Sequence, residues 1–128
     1  MIIGTHFLLY SKDPEADRAF FRDVLEVSHV DAGEGWLIFA MSPAELGIHP
    51  LEGESSRQPA GHQLLGGVLY FMCDDLDASI KSLRAKKVQC SEIEKAPWGA
   101  VTKIPLPSGG SIGLYQPRHQ TALNLKLK

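Results

Sequence analysis

THFLLYSKDPEADRAFFRDVLEV, residues Thr5–Val27, joins an alternating run bearing one histidine to a proline-marked turn and an amphipathic segment. Extended back to Ile2, the run puts Gly4, His6, Leu8 and Tyr10 on one face and Ile3, Thr5, Phe7 and Leu9 on the other, which predicts a strand over Ile2–Tyr10. Both faces are largely apolar, so both are expected to be covered. Asp13–Pro14 then reads as an N-cap and first helical position: the carboxylate accepts orphan backbone N–H groups, and proline has no N–H to lose there. Ala16, Phe20, Val24 and Val27 form the inward stripe of the helix that follows, with Asp17, Arg18, Arg22 and Asp23 facing away.

The same plan starts again at Val68. Val68–Cys73 reads as a strand, Asp75 as an N-cap, and Leu76, Ile80 and Leu83 as a helical stripe that ends at Lys86 and Lys87. A shift of 62 positions lays Asp13 on Asp75, Ala16 on Ala78, Phe21 on Leu83 and Arg22 on Arg84. An internal duplication is therefore expected.

Between the copies, His29 and the turn Asp31–Gly35 lead into two strand-like runs, Trp36–Met41 and Ala44–His49, which read as a hairpin or meander. Leu51–Gly67 is rich in Gly, Ser, Gln, Pro and Glu without periodicity, as a linker is. Val88–Ile93, Trp98–Ile104 and Ser111–Gln116 are three more expected strands, the last entered through the turn Pro107–Gly110. These readings give an α+β fold of two βαβββ modules forming a curved mixed β-sheet around a groove. They fit one domain over 1–128: module one about 1–50, linker about 51–67, module two about 68–117 and tail 118–128.

With 128 residues, a hydrophobic fraction of 44%, a charged fraction of 22% and a formal net charge of −2, the chain has no charge imbalance that would recruit nucleic acid. Its apolar runs fall far below the roughly 20 residues of a membrane span, so neither a membrane nor an export signal is expected and a cytoplasmic location is the default. Cys73 and Cys90 read as free structural thiols. The aspartates at 74 and 75 oppose the acidifying effect that a helix start would have on Cys73.

The chain resembles the vicinal oxygen chelate superfamily, the glyoxalase, bleomycin-resistance and extradiol-dioxygenase group. The carrying phrases are His6 with Asp13, AFFRDVLEV, LYFMCDDLDASIKSLRAKKV and WGAVTKIPLPSGGSIGLYQP, over roughly Ile2–Pro117. The resemblance implies one divalent metal (zinc, nickel, manganese or iron) held by the first and last strands of each unit, a small-molecule substrate bearing adjacent oxygens, and a homodimer. His6 matches the first ligand position. Val68 stands at the second, without a lone pair, and Gly113 stands where the closing strand of such proteins carries a glutamate. On the remaining strand, Glu45 and His49 share a face about 13 Å apart, so only one of them reaches an ion shared with His6, and the register that would choose between them is open. The implied metal site is thus incomplete, with His6 and His49 as its candidate ligands.

His6 and Glu45 are the candidate catalytic residues, Glu45 as a general base in a dry groove. Trp36, Tyr70, Trp98 and Tyr115 are the rings expected to face the groove and hold a ligand. His29, His62 and His119 fall in turns or tails. The leading expectation is a glyoxalase- or dioxygenase-like protein, a metal-assisted lyase or oxygenase for a small organic molecule. The alternative is a metal-free binding or sequestration protein of the bleomycin-resistance type.

Overall fold

The computed structural model describes residues 6–7, 9–46, 67–121 and 123. In chain order its elements are α1 (Pro14–Asp23), β1 (His29–Asp31), β2 (Leu37–Phe39), β3 (Tyr70–Met72), α2 (Leu76–Ala85), β4 (Glu94–Ala96), β5 (Gly99–Pro105) and β6 (Ser111–Pro117). The second half is a complete βαβββ unit, and the chain as a whole is α+β. Its four strands lie in the order β3-β6-β5-β4, with β3 parallel to β6 and the other pairs antiparallel. β1 and β2 form a separate antiparallel pair.

The two helices occupy equivalent positions in the duplication: a shift of 62 carries Pro14–Asp23 onto Leu76–Ala85. Their starts are built alike. Asp13 Oδ1 accepts the Ala16 amide at 3.1 Å, and Asp75 Oδ1 accepts the Ala78 amide at 3.1 Å, caps of the kind that each contribute about 1 kcal/mol. Gln116 at the end of β6 adds a second acceptor for α2, its Oε1 taking the Leu76 amide at 2.9 Å.

Strand alternation assigns the two faces of the four-stranded sheet. Ile112 and Leu114 of β6 and Ile104 of β5 point to the helices, where they pack with Leu76, Ile80, Val88 and Phe21 in one apolar cluster. Gly113 and Tyr115 therefore belong to the opposite face, together with Tyr70, Met72, Val101 and Lys103, which the registers place beside them.

On α1 the inward line sits one residue later than expected. Phe21 is the buried residue, Ala16, Phe20 and Val24 are only half-buried, and Asp17 is half-buried too rather than facing away. Its carboxylate accepts hydrogen bonds from Ser11 Oγ at 2.6 Å and from the Ser108 amide and hydroxyl at 3.1 and 2.8 Å, tying the helix to the β5–β6 turn. At the other end, Lys86 Nζ donates to the Val24 carbonyl at 3.0 Å and to Glu26 at 3.2 Å, linking the two helix C-termini.

Three strand expectations are corrected. The hairpin pairs His29–Asp31 with Leu37–Phe39 around the Gly-rich turn, and Ala44–Leu46 form no strand. The turn closes this way because Gly33, Glu34 and Gly35 all take positive φ (130°, 52° and 81°) while Asp31 Oδ1 holds the Gly33 amide at 2.7 Å. Val88–Ile93 is also not a strand, and the strand there is Glu94–Ala96. At Ser91 one backbone bond remains, the Ser91 amide donating to the Lys103 carbonyl at 3.0 Å, and side chains supply the others: Ser91 Oγ accepts the Lys103 amide at 2.8 Å, and the Ser91 carbonyl accepts the Thr102 hydroxyl at 2.8 Å. Of Ile2–Tyr10, residues 6, 7, 9 and 10 are described; they form no strand, and Phe7, Leu9 and Tyr10 are exposed in the single chain rather than covered. Gly47–His49 and most of the expected linker lie outside the described residues.

Candidate aromatic site on the sheet face

The sheet face turned away from the helices carries the candidate site. Register places Tyr70 of β3 beside Gly113 of β6, and the Tyr70 ring fills the space that a side chain at that glycine would take. A Cβ at position 113 would collide with the Cδ1–Cε1 side of the ring, 3.0 Å from Cγ and closer still to Cδ1 and Cε1. Tyr70 meets Tyr115 edge to face at 5.5 Å and 83°, and Tyr115 meets Trp98 in the same way at 6.0 Å and 78°, geometries that aromatic quadrupoles favour. Trp98 is set at the β4–β5 turn, where its carbonyl accepts the Arg118 amide at 2.8 Å. Gly99 next to it has φ 152° and no room for a side chain against the Gln116 carbonyl and Pro117 Cα, so the turn requires glycine.

Tyr115 is the hub. Its neighbours across the ladder, Met72 and Val101, are apolar, and its hydroxyl lies 3.2 Å from His119 Nε2. His119 Nδ1 lies 2.9 Å from the Gln120 carbonyl oxygen. Burial pushes the Tyr115 phenol above its ordinary value, and the negative charge of Glu45 and the presence of Tyr70 push it the same way. Tyr70 and Trp98 remain 46% and 45% exposed, so two of the three rings offer open apolar surface.

Of the candidate residues, Tyr70, Trp98 and Tyr115 come together and Glu45 acts on the third of them. Trp36 does not join: it sits at the β1–β2 hairpin with the Arg18 guanidinium 4.5 Å from its ring centroid. His6 is exposed and makes no side-chain hydrogen bond among the described residues. His49 and His62 lie outside them. His29 packs on Phe39, with centroids 5.7 Å apart. His119, expected only as part of the tail, is brought to the site by β6, which ends two residues before it.

The metal that the resemblance implies does not fit the described residues. Val68 is exposed and apolar, the space over Gly113 is taken by the Tyr70 ring, and among the described residues no three His, Cys, Asp or Glu side chains are grouped as an ion requires. Cys73 is held as a thiol. Burial raises its pKa most, Asp74 and Asp75 raise it further, and a hydrogen bond with Ser79 opposes them. Cys90 is raised by burial as well.

Cys73, Cys90 and Tyr115 all ionise at higher pH in the fold than when unfolded, where their ordinary values are 9.0, 9.0 and 10.0. The stability tied to their neutral forms is complete below pH 9 and is lost as pH rises through the folded values. Urea midpoints measured from about pH 8 to about pH 11 are therefore expected to fall. A midpoint that stays flat over this range contradicts the burial of these groups.

Among the described residues no helix is long and apolar enough to cross a membrane. Comparison with curated proteins gives no match. Solved structures with similar folds include an antibiotic-binding protein from Streptomyces sp. CB03234, 22% identical, with a TM-score of 0.62 over 91% of this chain and 99% of that one. They also include a lactoylglutathione lyase from Agrobacterium tumefaciens, 25% identical, with a TM-score of 0.58 over 84% and 88%. An integron cassette protein from the mobile metagenome of V. cholerae is 21% identical, with a TM-score of 0.53 over 91% and 98%. Residues 5–107, most of the chain, match one family along their length. The duplicated capped helices, the βαβββ unit and this match agree, and the chain belongs to the Glyoxalase/Bleomycin resistance protein/Dioxygenase superfamily.

Proposed function

We propose that the chain binds a small planar aromatic molecule, without a metal ion, on the sheet face that carries Tyr70, Trp98 and Tyr115. The observation behind this reading is the Tyr70 ring filling the side-chain space of Gly113. The position at which related sequences are expected to place a carboxylate ligand is here a glycine whose side-chain space an aromatic ring fills, so the face has exchanged a charged group for an apolar one. The half-exposed rings of Tyr70 and Trp98 gain from covering by a flat ligand, which removes apolar surface from water and adds ring–ring contacts worth about 0.5–1.5 kcal/mol each. The fold does not decide between binding and catalysis, since it houses both a binding protein and a lyase among its neighbours. Metal-assisted lyase or oxygenase chemistry through His6, with Glu45 as base, needs donors that the described residues do not group together.

Trp98 makes the reading testable by intrinsic fluorescence. Titrating naphthalene into protein treated with EDTA is expected to give a saturable change that is lost in Trp98→Phe and kept in Trp36→Phe, because only Trp98 touches the Tyr115 ring. A flat titration, or binding that disappears on chelation, rejects the proposal.

A further inference from the structure

We infer that the Tyr115 edge of the site selects ligands that carry a hydrogen-bond donor, a planar aromatic bearing an O–H or N–H group, over isosteres that only accept. This rests on the aromatic-site reading above and adds the polar half of the recognition.

The inference follows from where protons must sit. The Gln120 carbonyl oxygen only accepts, so His119 Nδ1, 2.9 Å away, carries its hydrogen. In the neutral imidazole the other nitrogen, Nε2, is then an acceptor. Across the 3.2 Å contact the Tyr115 hydroxyl must be the donor. The single O–H of Tyr115 is thereby spent on His119, and what the phenol offers to a ligand is oxygen lone pairs. Glu45, the charged group that acts on this phenol, also only accepts when ionised.

The side chains that the registers place beside Tyr115 do not undo this, and the Trp98 indole N–H, which only donates, is unchanged by Tyr115→Phe. Met72 and Val101 flank Tyr115 with apolar side chains. The Tyr70 hydroxyl both donates and accepts, so it favours neither class of ligand. Lys103, a donor, is placed by register opposite Gly113 rather than opposite Tyr115. The selection belongs to the Tyr115 edge and is set by a residue outside the sheet, His119, which fixes the direction of the hydroxyl. Tyr115 contacts the ligand, and His119 is a positioning residue.

Three probes of nearly one shape separate the outcomes: naphthalene, 2-naphthol and 2-methoxynaphthalene, measured by equilibrium dialysis against the full chain at neutral pH. The wild type is expected to bind 2-naphthol about fivefold more tightly than 2-methoxynaphthalene, the increment of one hydrogen bond. Tyr115→Phe, which keeps the ring, should abolish that ratio while still binding naphthalene. His119→Leu, which frees the hydroxyl to donate, should narrow the ratio by strengthening the ether. Equal affinity of the two oxygenated probes in the wild type, or a ratio that survives Tyr115→Phe, overturns the inference and leaves the aromatic site standing. Failure of all three probes to bind overturns the aromatic site itself.

Discussion

Gly113→Glu is expected to destabilise the wild-type chain by about 1–3 kcal/mol, the cost of forcing a side chain into filled space, and to cost much less when Tyr70 is already alanine. The Tyr70 ring occupies the place that any Cβ at 113 would take, so the new side chain must turn the ring off the sheet and lose its edge-to-face contact with Tyr115. Tyr70→Ala alone is expected to be mild, because the residue is 46% exposed and β3 is an edge strand. The quantity to measure is the coupling in a double-mutant cycle of urea midpoints. Simple additivity of the two changes would show that ring and glycine do not exclude each other, and would remove the argument that the face has given up a carboxylate.

Ile104→Ala is expected to cost more, about 2–5 kcal/mol. Ile104 is 1% exposed, pairs across the ladder with Ile112, and belongs to the cluster in which Leu76 and Ile80 of α2 meet Phe21 of α1. Truncation there removes contacts on several sides at once, and the hydrogen-bonded strands around it have little freedom to close the gap. Val30→Ala, at a position 65% exposed, is the matched control and should change little. A loss at Ile104 no larger than at Val30 would place the core elsewhere.

What was legible in the sequence divides along physical lines. The helices, their aspartate caps and their equivalence were legible because capping and periodicity are local: Asp13–Pro14 and Asp75 act on amides three residues away. Strand pairing was less legible, because partners are chosen by contacts remote in the chain. Val88–Ile93 was read as a strand, yet opposite Lys103 only the Ser91 amide keeps a backbone bond while the Ser91 and Thr102 side chains supply the others, and nothing local announces this. The hairpin was misplaced because the Asp31–Gly35 turn was read as an entry to the strands rather than as the connection between them. In the site, three of the four rings proposed for the groove do meet. Trp36 was drawn in by residue type alone and sits instead against Arg18. The empty ligand position at Gly113 was visible in the sequence, whereas the ring that covers it required the parallel register of β3 and β6. His119 was missed because a histidine beyond the last strand carries no pattern of its own.

The bond between Asp17 and Ser108 has a consequence for how the chain reaches this fold. It spans 91 residues, and the same helix contributes Phe21 to a cluster whose other buried members, among the described residues, come from the second half. The two copies are therefore tied together: the turn that leads into the last strand is held by a helix from the start of the chain. Such distant closures cost loop entropy before they return any contact energy, which makes for slow folding.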